Sequence, residues 1–253
     1  MRLRRKTIIA GLLIGIIFAG CASQQKLAFK SVEGKEHSAV VPVPRSDERT
    51  ARWWNSRHEM VNERLKKGNV DLLFIGDSIT HGWENVGKDI WEKYYAPRNA
   101  VNMGFSGDRT QHVLWRLDHS NFEGISPKLA VIMIGTNNSN GNDNTAEEIS
   151  DGIITICQRL RTQFPKMKIL LLAIFPRNPE PSPQREKNAE ASLLASRIAD
   201  GKMIHYLDIN DKFLTEDEKL TKEIMPDYLH PNKTGYKIWA KAIESKVAEL
   251  MGE

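Results

Sequence analysis

Five short apolar runs, each followed by a stretch of helical periodicity, restrict the fold of this chain more than any other feature. The runs occupy 70–75, 100–103, 129–134, 169–174 and 203–209. They are rich in Val, Ile and Leu and mostly continuous rather than alternating, as expected of strands covered on both faces. Helical segments are predicted over 87–95, 109–119, 145–163, 184–200 and 233–250, with a charged helix before them at 53–67. Thr145, followed by Ala146-Glu147-Glu148, reads as a helix start with acidic residues in the first turn. Alternating β and α elements predict one α/β domain, a three-layer α/β/α sandwich around a five-stranded parallel sheet.

The N-terminus reads differently. Arg2, Arg4, Arg5 and Lys6 precede an apolar run that ends in Phe18-Ala19-Gly20-Cys21. Basic start, short apolar core and small residues define an export signal over 1–20. Small residues directly before a cysteine resemble the bacterial lipobox, which implies cleavage before Cys21 and lipidation of its sulfur. Lipoprotein is preferred over an ordinary secretory signal or an uncleaved anchor, and all three readings export the protein. Residues 21–50, with Val-Pro-Val-Pro at 41–44, read as an extended tether, leaving 51–253 as the domain. Taking the leader's four basic residues from 36 Lys+Arg leaves 32, equal to the 32 Asp+Glu. A balanced chain offers no global electrostatic case for nucleic acid. Beyond Cys21 only Cys157 remains, so no internal disulfide and no paired-cysteine zinc spacing is expected.

Polar residues gather where the strands should end. Gly76-Asp77-Ser78 follows the first apolar run, Gly107-Asp108 the second and Gly135-Thr136-Asn137 the third, while Asp227 and His230 precede the last helix. In an open parallel sheet the carboxyl ends share one edge, where ligands bind. Serine needs a base to become a nucleophile, and His230 is the candidate, with Asp227 three residues earlier to fix its tautomer. The backbone N–H groups of Ser78 and Gly107 and the amide of Asn137 are candidate donors to an oxyanion, with Gly104 as the rival to Gly107. Such chemistry requires no metal or organic cofactor.

Gly76-Asp77-Ser78-Ile79, Gly107-Asp108, Gly135-Thr136-Asn137 and Asp227-Tyr228-Leu229-His230 resemble the four blocks of the GDSL, or SGNH, hydrolases. Longer strings, among them Val113-Leu114-Trp115-Arg116-Leu117 and Phe175-Pro176-Arg177, resemble the platelet-activating factor acetylhydrolase branch. The resemblance spans roughly residues 70–245. It implies a flavodoxin-like fold and acyl-ester hydrolysis, with Ser78, Gly107, Asn137 and His230 in the four named roles and Asp227 completing a triad. Two positions depart from the pattern: Ile79 replaces Leu, and Asn138 stands where an acid is usual. His81, Asn138 and Arg177 are the candidate substrate contacts.

The expected substrate is a short acyl ester, acetyl above all, on carbohydrate; phospholipid-type esters are the alternative. A catalytically inactive glycan-binding module on the same fold is the rival from another class, and it predicts a broken set of side chains. The acetylhydrolase likeness allows a homodimer. The tryptophans at 53, 54, 91, 115 and 239 read as packing residues.

Overall fold

The computed structural model describes Gly34 and residues 36–253. The export signal, Cys21 and the first part of the expected tether lie outside the described residues. Helix α1 (Glu48–Lys66) leads into β1 (Leu72–Gly76), the single turn α2 (Ser78–His81), α3 (Lys88–Tyr94) and β2 (Ala100–Gly104). Then come α4 (Thr110–Asp118), β3 (Leu129–Met133), α5 (Ala146–Gln163), β4 (Lys168–Leu172), α6 (Pro183–Ser196), β5 (Ile204–Leu207) and α7 (Lys233–Met251).

All five strands are parallel, in the order β2-β1-β3-β4-β5. Successive residues face opposite sides, so each strand feeds two cores. Leu73, Ile75, Val101, Ala130, Ile132 and Leu171 pack beneath α1, α4, α5 and α6. Leu72, Phe74, Val131, Met133 and Leu172 pack against α3, α7 and the 82–84 turn, with Trp83, Trp239 and Tyr236 fully or almost fully buried. Both faces are covered, which is why the internal strands carry no polar alternation. Strand β5 is the exception: as an edge strand it leaves His205, Tyr206 and Leu207 only partly buried.

Helix starts follow local chemistry. Thr145 caps α5 with a hydroxyl that accepts from the Glu148 N–H, and the Glu148 carboxylate accepts in turn from the Thr145 N–H. Ser182 caps α6, with Pro183 in its first turn. That helix stops at Ser196, short of the expected 200, because Asp200 accepts from the N–H groups of Lys202, Met203 and Ile204 and builds a turn instead.

The tether expectation needs correction over its described part. Residues 36–47 lie against the domain as a strap: Ala39 is fully buried, and its carbonyl accepts from the Thr110 hydroxyl at 2.8 Å. The Val43 N–H donates to the Gln111 carbonyl, and Asn144 donates to the Ser38 hydroxyl. Prolines at 42 and 44 keep this segment extended, but its polar backbone finds partners on α4. Helix α1 also begins earlier than expected, at Glu48, since Asp47 accepts from the Thr50 N–H as its N-cap.

Candidate active site

Strand order reverses direction between β1 and β3, the point at which ligands bind in doubly wound sheets. Ser78 follows β1 and Asn137 follows β3, so they flank that point. Asp77 caps α2 through Oδ1, which accepts from the Ile79 N–H, and this places Ser78 as the first helical residue, its N–H bonded to no other described residue. Tyr236, on α7, donates from its buried hydroxyl to the Ile79 carbonyl at 2.7 Å. The nucleophile's helix is thereby tied to the helix that follows the histidine loop.

That loop brings the base into place. The Ser78 hydroxyl lies 2.8 Å from His230 Nε2, and His230 Nδ1 lies 2.6 Å from Asp227 Oδ2. Asp227 Oδ1 accepts from the N–H groups of Leu229 and His230, so one carboxylate orients both the ring and its backbone. Tyr228 takes a left-handed φ of 58° to close this turn. Partial burial alone would raise the Asp227 carboxyl, but the hydrogen bonds from His230 and Leu229 outweigh it and hold the group below its usual value. It is therefore an anion at neutral pH. Both groups remain open to solvent, with His230 42% and Asp227 57% exposed at the side chain.

The candidate oxyanion donors Gly107 and Asn137 lie in the loops that follow β2 and β3. The Gly107 N–H gives no hydrogen bond to another described residue, and its φ of 78° is one that L side chains resist. Gly104, the rival, is excluded: its N–H already donates to Asn102 Oδ1 at 2.8 Å. Its lack of a side chain serves packing, since a Cβ there would lie 2.3 Å from the His81 nitrogen. Asn137 donates one amide hydrogen to the Asp108 carbonyl at 2.9 Å, which leaves the second for a ligand.

Asp108 is a site residue that sequence reasoning missed. Its carboxylate is fully buried, accepting from Trp54 Nε1 at 2.7 Å and Arg116 Nε at 2.8 Å. Arg116 is buried too, its guanidinium 3.9 Å from the centre of the Phe105 ring. This pair anchors the peptide whose carbonyl orients Asn137. The only signal in the chain was the Gly-Asp dipeptide followed eight residues later by an arginine.

The candidate substrate contacts fare differently. Asn138 is fully buried: it accepts from the Thr110 N–H and donates to Thr110 Oγ1, Gln111 Oε1 and Asn144 Oδ1. No surface remains for substrate, so that expectation is corrected; Asn138 is a cross-brace between the second and third blocks. Arg177 donates to the Thr136 carbonyl and hydroxyl and to Asn140, which makes it a clamp on the Asn137 turn. His81 is half-buried, its Nδ1 2.9 Å from the Ser106 hydroxyl, beside Gly107.

Asp77 carries a measurable consequence. Its Oδ2 is buried without a partner among the described residues, and burial raises its carboxyl to about 7 against the Ile79 hydrogen bond and the pull of His230. The unfolded group titrates near 3.8, so between about pH 4 and 7 the folded state binds the extra proton. The Asp77 contribution to stability therefore falls as pH rises through that window and is level above it, by on the order of 4 kcal/mol at most. Asp77→Asn keeps the cap and removes the titration. The variant's stability relative to the parent should rise from pH 4.5 to 7.5 in urea unfolding; parallel pH slopes for the two proteins would refute this.

A hydroxyl on an imidazole and an imidazole on a carboxylate, with candidate N–H donors in loops at the same sheet edge, fit a serine acylhydrolase site. Residues 74–238 match the model of the GDSL-like lipase/acylhydrolase family, and the chain belongs to that family of hydrolases. Platelet-activating factor acetylhydrolase IB subunit alpha1 from Homo sapiens is 34% identical over 224 residues, covering 88% of this chain and 94% of the relative. A GDSL-like lipase from Bacteroides thetaiotaomicron shares the fold with a TM-score of 0.59 and 22% identity, covering 78% of this chain and 97% of the other. A carbohydrate acetylesterase from Sinorhizobium meliloti does so at 0.54 and 20%, covering 72% and 100%.

Proposed function

We propose that this protein hydrolyses short-chain acyl esters, acetyl above all, carried on carbohydrate, through an acyl-Ser78 intermediate. The observation that carries the proposal is the unbroken relay from the Ser78 hydroxyl through His230 to Asp227, at 2.8 and 2.6 Å. The hydroxyl oxygen attacks the ester carbonyl while its proton passes to Nε2 of His230. The negative charge that develops on the carbonyl oxygen meets the N–H groups of Ser78 and Gly107 and the free amide hydrogen of Asn137. The imidazolium, steadied by Asp227, then gives its proton to the departing alcohol. Water, deprotonated by His230, attacks the acyl-serine, and its proton returns to the serine oxygen as the acid leaves.

The short acyl group is supported by relatives named acetylhydrolases, and the carbohydrate by fold neighbours that include a carbohydrate acetylesterase. Export, as the basic and apolar leader implies, would bring the enzyme to polysaccharide. A phospholipid-type ester is the second reading, favoured by the same acetylhydrolase relatives. Nitrophenyl acetate and octanoate, together with acetylated xylan, separate these. Acetate release from the aryl ester and the polymer should exceed octanoate release by at least an order of magnitude. Faster cleavage of octanoate would overturn the short-acyl assignment.

A further inference from the structure

We propose that Arg45, on the strap ahead of the catalytic domain, is a positioning residue for the oxyanion donors. Its Nη1 donates to the Gly107 carbonyl at 2.9 Å. Nε and Nη2 are held by Asp47 Oδ2, and Nη2 also donates to the Thr50 hydroxyl at 3.0 Å, so the guanidinium is fixed from the start of α1. Gly107 is the residue least able to hold its own conformation, having no side chain and a left-handed φ. Pinning its carbonyl fixes the peptide plane that follows it. The same loop then runs into Asp108, whose carbonyl accepts from Asn137. One guanidinium thereby sets the loop that supplies one donor and orients another.

The fit is close: a Cβ on Gly107 would lie 2.5 Å from Arg45 Nη1, so the guanidinium occupies the space a side chain would take. The strap braces the third block as well. Ala39 accepts from Thr110, Thr110 and Asn144 both bond Asn138, and Asn144 donates to Ser38. Arg45 touches neither Ser78 nor His230 among its hydrogen bonds, so it acts through the loop. An organised oxyanion hole speeds the chemical step by binding the transition state more tightly than the substrate.

This inference rests on the oxyanion roles assigned above, and the test separates the two. Arg45→Met, Arg45→Lys and Asn137→Ala are compared with the parent enzyme. The readouts are kcat and KM on nitrophenyl acetate, inhibition by methylboronic acid and melting temperature. The boronic acid adds to the serine oxygen as a tetrahedral anion whose own oxygen takes the oxyanion place. Asn137→Ala, which removes a donor outright, should lose about 10²–10³-fold in kcat. Arg45→Met should lose roughly tenfold in kcat and in boronic acid affinity, with KM within about twofold, since a misaimed donor costs less than an absent one. Arg45→Lys, which can still donate to the Gly107 carbonyl, should recover most of the loss. Should Arg45→Met unfold, Arg45→Gln carries the same comparison. Unchanged kcat and boronic acid affinity in a folded Arg45 variant, alongside the expected Asn137→Ala loss, would overturn the role of Arg45 alone. An inert Asn137→Ala would instead overturn the oxyanion assignment on which it stands.

Discussion

Ser78→Ala should abolish ester turnover, by on the order of 10⁶-fold, while leaving the melting temperature within a few degrees of the parent. Alanine keeps the helical backbone, and the Asp77 cap and the Tyr236 bond to Ile79 do not involve the serine hydroxyl. Only the attacking oxygen is lost. His230→Ala should be nearly as severe, because the hydroxyl then has no base. Asp227→Asn should leave more activity, and the geometry says why it still hurts. Asp227 Oδ1 already holds two backbone N–H groups, so the asparagine oxygen will take that place and turn its NH₂ toward Nδ1 of the ring. The ring must then protonate Nε2 and can no longer accept from Ser78. The loss should stay below the ~10⁴-fold typical of a buried triad carboxylate, since solvent reaches this one and can itself stabilise the imidazolium. Hydrolysis of nitrophenyl acetate by the three variants, with circular dichroism for folding, checks the series. Esterase activity surviving intact in folded Ser78→Ala would refute the acyl-serine mechanism.

Asp108→Ala should be the most destabilising single change near the site. It leaves the buried Arg116 guanidinium without its carboxylate and Trp54 Nε1 without an acceptor. Arginine cannot shed its proton to escape. Breaking a buried pair from one side costs about 3–5 kcal/mol, which in a domain of this size lowers the melting temperature by on the order of 10 °C. Activity should fall as well at temperatures where the protein is folded, because the Asp108 peptide orients the Asn137 amide. The double variant Asp108→Leu with Arg116→Met replaces both charges by apolar groups and should regain much of the stability. A drop of under 2 °C for Asp108→Ala in calorimetry would show that the pair contributes little.

The five strands and the helices between them were legible in the chain because each depends on local apolar continuity, and the strands were located to within about two residues of their ends. The candidate nucleophile, base and donors were legible for a related reason. A serine, a glycine and an asparagine just past three successive strands must share one sheet edge whatever the loops do. Asn138 was misread because nothing beside it in sequence says that Thr110, Gln111 and Asn144 enclose it. The strap was misread in the same way: prolines show that 41–44 is extended, but not that the strap's polar backbone finds partners on α4.

Sequence alone determined the parallel sheet, the order of its elements and which side chains have the chemistry for acyl transfer, since these follow from residue type and short-range periodicity. Tertiary structure decided which polar groups stay in water and which are buried against partners far along the chain. Asp108 with Trp54, Asn138 with Thr110, and Arg45 with Gly107 belong to the second set. Leaving a buried polar group without a hydrogen bond is costly, and in each of these pairs a residue distant in sequence supplies one.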